Sequence, residues 1–104
     1  MKYTGTIKWV NPDDTRDHDI PICFIRADQI EFETEYDNYK YDVTLHRRGE
    51  VFRGTWRLKG LGQDNGPVTG CLLYPDGDLM RLKGRWIEGG NNWEFNAVLQ
   101  RDDK

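Results

Sequence analysis

Val51-Phe52-Arg53-Gly54-Thr55-Trp56-Arg57-Leu58-Lys59 alternates without a break: Phe52, Gly54, Trp56 and Leu58 take one phase, Arg53, Thr55, Arg57 and Lys59 the other. A period of two marks a strand with one face in a core and the other in water. Residues 79–87 repeat the scheme, setting Met80, Leu82, Gly84 and Trp86 against Arg81, Lys83 and Arg85, and residues 92–100 continue it with Trp93, Phe95, Ala97 and Leu99. The same rhythm of glycine between large side chains appears in Tyr3-x-Gly5-x-Ile7-x-Trp9 and Val68-x-Gly70-x-Leu72-x-Tyr74. Glycine weakens an ordinary strand, so its recurrence in one phase predicts a sheet that bends sharply, or bare backbone against which another group packs.

Turn chemistry separates these runs at Asp37-Asn38, Arg48-Gly49, Pro75-Asp76-Gly77 and Gly89-Gly90-Asn91, with a longer loop from Gly60 to Gly66. Ahead of them lie a strand near 2–10, an acidic loop from Asn11 to Asp19 and a strand near 20–26. The sum is an all-β chain of about eight strands with local connections, an antiparallel up-and-down β-barrel or a strongly coiled meander sheet. With turns near 62–63 and 76–77, Gly54 falls across from Gly70 and Gly70 across from Gly84, a row of missing side chains that Ala97 continues and that Gly5 joins if the barrel closes. The same phasing places all thirteen Phe, Tyr and Trp residues inward.

At 104 residues the chain suits one domain, 1–104, with one core. The opening residues carry no signal-peptide pattern and no stretch approaches the ~20 apolar residues of a membrane helix, which predicts a soluble, cytoplasmic protein without a membrane partner. Cys23 and Cys71 are too few for a disulfide framework and too far apart in sequence for a zinc knuckle, so they are read as free thiols, with a long-range bridge as the alternative. A net charge of −3 argues against generic nucleic-acid binding. The charge is uneven: residues 1–46 hold ten acids and five bases, residues 47–85 eight bases and four acids.

Gly54-Thr55-Trp56, Val68-Thr69-Gly70 and Leu82-Lys83-Gly84-Arg85-Trp86 resemble the glycine-and-aromatic strands of calycin-type up-and-down barrels, the lipocalin, fatty-acid-binding and avidin group. The resemblance covers roughly residues 50–100. It implies an antiparallel barrel holding a small, mostly apolar ligand.

Three groups of residues are candidate sites. Tyr39, Tyr41, Trp56, Trp86 and Trp93 could line an internal pocket whose indole N–H and phenol O–H groups orient a ligand, or could simply fill a small barrel. Arg53, Arg57, Arg81, Lys83 and Arg85 would form an outward cationic face flanking Thr69, Cys71 and Leu73, read as an interaction face or as a solvated one. Asp13, Asp14, Asp17, His18 and Asp19 lack the glycine and terminal Glu of an EF-hand loop and are read as a solvated loop, with no metal. No nucleophile elbow, phosphate loop or His-Glu-x-x-His is present and there is no serine, which leaves a Cys–His pair such as Cys71 with His46 as a nucleophile arrangement that the sequence would allow. The expectation is a non-catalytic binding module without a cofactor, holding a small apolar or aromatic ligand. The alternative is an interaction or assembly protein, a homodimer through a sheet edge or the charged faces.

Overall fold

The computed structural model describes residues 1–60 and 64–102. Eight strands follow one another: β1 (Lys2–Asn11), β2 (Asp14–Ile25), β3 (Gln29–Tyr36), β4 (Tyr39–Arg48), β5 (Val51–Leu58), β6 (Asn65–Asp76), β7 (Leu79–Glu88) and β8 (Asn91–Arg101). Residues with positive φ stand in the β3–β4, β4–β5, β6–β7 and β7–β8 turns. Asp37 and Asn38 stand at φ 51° and 67°, and Gly89 and Gly90 at 59° and 79°. Two successive positive values give the turn whose twist matches that of a hairpin.

Each strand pairs antiparallel with its sequence neighbour, and β1 pairs with β8 from Tyr3↔Arg101 to Val10↔Glu94, so the barrel is closed. Its extents are 33 × 29 × 25 Å. One cluster of buried side chains runs through it, including Ile7, Ile20, Ile30, Leu45, Phe52, Trp86, Phe95 and Leu99. Of the Gly60–Gly66 loop, Leu61, Gly62 and Gln63 lie outside the described residues, while Asn65 and Gly66 already belong to β6.

Two expectations of the sequence are corrected. The acidic stretch is strand from Asp14 onward, with only Pro12-Asp13 as turn. The backbone of β1 needs partners along its whole length, and Lys8↔Asp17, Trp9↔Arg16 and Asn11↔Asp14 supply them. The glycine row is absent. The β5–β6 register slips between Phe52↔Cys71 and Gly54↔Val68, and the β6–β7 register slips between Thr69↔Arg85 and Leu72↔Lys83. Gly70 sits in these irregularities at φ 60°, exposed, as a bulge glycine that no inward neighbour contacts. Beyond it the phase of β6 inverts: Cys71 is buried, whereas Leu72 and Tyr74 are among the exposed large hydrophobics.

The bulges recur in equivalent places. In β1–β2, Tyr3 pairs with Cys23 and Gly5 with Ile20; in β5–β6, Phe52 pairs with Cys71 and Gly54 with Val68. A side chain on Gly5 would strike the Val98 carbonyl oxygen of β8, and one on Gly54 the Thr44 carbonyl oxygen of β4. Tyr3-Thr4-Gly5-Thr6-Ile7-Lys8-Trp9 and Phe52-Arg53-Gly54-Thr55-Trp56-Arg57-Leu58 thus do the same work four strands apart: each folds its strand tightly against the preceding one at a corner of the barrel.

Candidate functional site

All four tryptophans stand within a few residues of the hairpin turns that gather at one end of the barrel: Trp9 before the β1–β2 turn, Trp56 near the end of β5, Trp86 and Trp93 on either side of the β7–β8 turn. The other end is filled by Ile30, Leu45, Phe52, Leu82 and Leu99. Trp86 is the hub of the aromatic end. It stacks on Trp56 with centroids 6.0 Å apart and planes 2° from parallel, and receives Trp9 (5.5 Å) and Tyr41 (5.7 Å) edge-on. Such offset and edge-to-face contacts hold rings in fixed orientations.

Glycine has a definite task at this end. Trp56 Nε1 donates to the Ile87 carbonyl oxygen at 2.7 Å, and any Cβ on Gly66 would collide with both that oxygen and the indole. Gly84 plays the corresponding part deeper in the core, where the Cys71 sulfur and the Phe95 ring occupy the space its side chain would take.

Glu88 anchors the polar part of the site. Its carboxylate accepts the Tyr41 hydroxyl at 2.8 Å and the Trp86 indole N–H at 2.9 Å. Burial first, then the hydrogen bond and charge of Glu88, push the Tyr41 phenol well above its ordinary value, so it remains a donor. Arg16 projects from β2 over the same end, its guanidinium 4.6 Å from the Trp93 ring centre and 4.7 Å from that of Tyr36. Around these groups lies a recess of about 20 Å³ bounded by Trp9, Arg16, Tyr36, Tyr41, Trp86, Glu88 and Trp93. That is room for about one water molecule.

Of the five aromatic candidates, Tyr41, Trp86 and Trp93 meet at this recess. Trp56 lies behind Trp86 and does not line it, and Tyr39, beside the β3–β4 turn, is 45% exposed. Trp9, Arg16, Tyr36 and Glu88 were not anticipated. Glu88 carried a signal: it continues the inward phase of Met80, Leu82, Gly84 and Trp86 as the one acid in that series. Arg16 carries no such signal, because the all-polar run from Asp13 to Asp19 has no apolar alternation to mark it as strand.

The cationic residues Arg53 and Arg57 on β5 and Arg81, Lys83 and Arg85 on β7 flank β6 as expected, but the bulge changes what lies between them. Leu72 and Tyr74 face out there, and Lys83 Nζ lies 5.8 Å from the Tyr74 ring centre. Phe24 also faces outward, paired with Glu31, so the aromatics are not all inward. Several charges pair: Lys59 with Glu33 (2.7 Å) and Asp42 (3.4 Å), and Arg81 with Asp76. Cys23 and Cys71 are free, buried thiols, each pushed up to about 12 by burial. Cys71 donates to the Thr69 carbonyl oxygen while His46 is exposed on β4, so the two form no nucleophile pair. No family model, curated protein or solved structure matches the chain.

Proposed function

We propose that this protein is a non-catalytic binding module whose ligand is taken at the tryptophan end of the barrel. The observation that carries this reading is the convergence of Trp9, Tyr36, Tyr41, Trp86 and Trp93 with one carboxylate, Glu88, around a single recess. Apolar walls with a few fixed polar groups are what a small-ligand site requires. The bore below is filled by stacked and edge-on rings, which moves the site from the interior to the mouth. A closed eight-stranded antiparallel barrel is consistent with the calycin-type architecture in outline, and a ligand at one end of the barrel accords with that resemblance. Titration of a fragment library followed by ¹H–¹⁵N spectra tests the reading. Saturable shifts of the Trp9, Trp86 and Trp93 indole N–H signals are expected, and a library that moves none of them overturns it.

A second reading, assembly through the charged faces, is favoured by Leu72 and Tyr74 lying exposed opposite Lys83 and Arg81 of β7. The β1–β8 ladder pairs the first and last strands with each other, which leaves the charged faces as the route this reading takes. Light scattering across a salt series checks the remaining route: association that weakens as salt rises supports it, and a salt-independent monomer removes it.

A further inference from the structure

The barrel is not equally sealed along its length. β1 and β2 stay paired as far as Asn11↔Asp14, and β3 and β4 as far as Tyr36↔Tyr39, yet the β2–β3 ladder covers only Ile22↔Glu33 to Ile25↔Ile30. Toward the tryptophan end the two strands part, joined by the Thr34 hydroxyl donating to the Asp19 carbonyl oxygen at 2.9 Å. Arg16 belongs to the part of β2 that pairs with β1 but not with β3, and its side chain reaches the mouth to lie against Tyr36 of β3 and Trp93 of β8.

Arg16 is weakly held for a residue in that position. Its ion pair is with Asp14, 3.0 Å away and two residues along the same strand, and both side chains are substantially solvent-exposed. Exposed pairs of this kind contribute little. Glu88, the carboxylate fixed inside the recess, takes hydrogen bonds from Tyr41 and Trp86 and forms no ion pair among the described residues. Among the described residues, two buried side-chain polar atoms lack a hydrogen-bond partner, Trp9 Nε1 and His18 Nδ1. Both flank Arg16: Trp9 is its register partner on β1, and His18 is two residues along β2. Trp9 itself is 5% exposed and lines the recess. Aromatic faces around a carboxylate form an environment for an organic cation, and a guanidinium already rests on two of those faces.

We propose that Arg16 is the internal occupant of an aromatic cage, and that the cage's ligand is an organic cation, a guanidinium or methylated ammonium group, which enters where β2 and β3 part and displaces the Arg16 side chain. This rests on the mouth being a ligand site, and it names the ligand's chemistry. The incoming cation takes the faces of Tyr36 and Trp93 and approaches Glu88, while an acceptor atom on the same ligand satisfies the Trp9 N–H.

Wild type, Arg16→Ala and Arg16→Gln are titrated with methylguanidinium, with tetramethylammonium, with the neutral isostere 3,3-dimethylbutanol, and with short peptides bearing one arginine or one trimethyllysine. Tryptophan fluorescence and the Trp9 and Trp93 indole N–H signals report binding. Saturable binding of the cations, at least tenfold tighter in the Arg16 variants than in wild type and not shared by the neutral isostere, is the expected result. Adding Glu88→Gln to Arg16→Gln is expected to weaken the cation about tenfold by removing charge while keeping an acceptor. Peptides binding more tightly than the free cations would identify the source as a protein side chain, and the reverse a small metabolite. If the variants fold, by circular dichroism, but take up no cation, or bind the isostere equally well, Arg16 is a structural plug and the inference fails, even where uncharged fragments still move the same signals. If the variants do not fold, the wild-type titration decides: cation-specific displacement of the Tyr36 and Trp93 signals upholds the proposal, and their constancy overturns it.

Discussion

Gly66 and Gly70 show how one residue type answers two different constraints. Gly66 is needed because the Trp56 indole crosses its bare Cα to reach the Ile87 carbonyl oxygen. Gly66→Ala is therefore expected to break that bond and displace the ring, costing about 1–3 kcal/mol for the unsatisfied buried donor, as measured by urea unfolding. Gly70 is needed for its φ of 60°, and a side chain there meets nothing, so Gly70→Ala should cost only the backbone strain, about 1–2 kcal/mol, and leave the core spectra unchanged. Glu88→Leu would orphan the Tyr41 and Trp86 donors and is expected to destabilise by about 1–3 kcal/mol for each. Glu88→Gln should cost much less, because the Tyr41 hydroxyl can turn and accept from the new amide. The thiols are read by pH. Their folded values near 12 lie above the ordinary 9.0, so the neutral forms are favoured in the fold. That contribution is complete below pH 9 and is lost as pH climbs toward 12, so unfolding free energy should fall across this window and fall less in a Cys23→Ala, Cys71→Ala variant. Native protein at pH 8 should leave both thiols unlabelled by a disulfide reagent that labels both in denaturant.

Among the elements, β2 and β6 differ most from a uniform alternation. In β6 the bulge at Gly70 turns Leu72 and Tyr74 outward and Cys71 inward; a strictly two-residue period cannot show this, because one inserted residue inverts every phase after it. In β2 the residues from Asp14 to Asp19 are all polar, so burial left no pattern to read, and only pairing with β1 makes them strand. The parting of β2 from β3 has a measurable consequence. In hydrogen exchange, the amides of residues 14–20 that point toward β3 should exchange faster than the alternating ones that bond to β1, whereas β7 and β8, paired from Leu79↔Gln100 to Glu88↔Asn91, should show uniform protection.

At the scale of the molecule, closure and the repeated corner motif dominate. The first and last described strands end side by side, since the Asp102 N–H donates to the Lys2 carbonyl oxygen at 2.9 Å and Lys2 Nζ lies 3.5 Å from Asp102. A circular permutant that links these ends and opens the Gly49-Glu50 turn exchanges the corner at Gly5 for its equivalent at Gly54 as the opening strand. It is expected to fold cooperatively and to keep the near-ultraviolet circular dichroism of the stacked Trp56 and Trp86 rings. Loss of that signal would show that the order of the two halves matters.

The strands of residues 51–58, 79–88 and 91–101 were legible because large apolar residues alternate with charges between turns that demand positive φ, and local sterics and burial suffice to determine such elements. Placement of the tryptophans beside the turns is likewise in the sequence. The meeting of Trp9, Arg16, Tyr36, Tyr41, Glu88 and Trp93 is not, because they come from six different strands whose relative stagger depends on the bulges after Tyr3, Phe52 and Thr69 and on the β1–β8 ladder. Local pattern thus determined most of the strands, though not residues 14–19 of β2, and, except beyond the bulges, which way their residues face. Only closure of the barrel, by setting that stagger, decided that the rings fill the bore and that a cation and a carboxylate are left at its mouth.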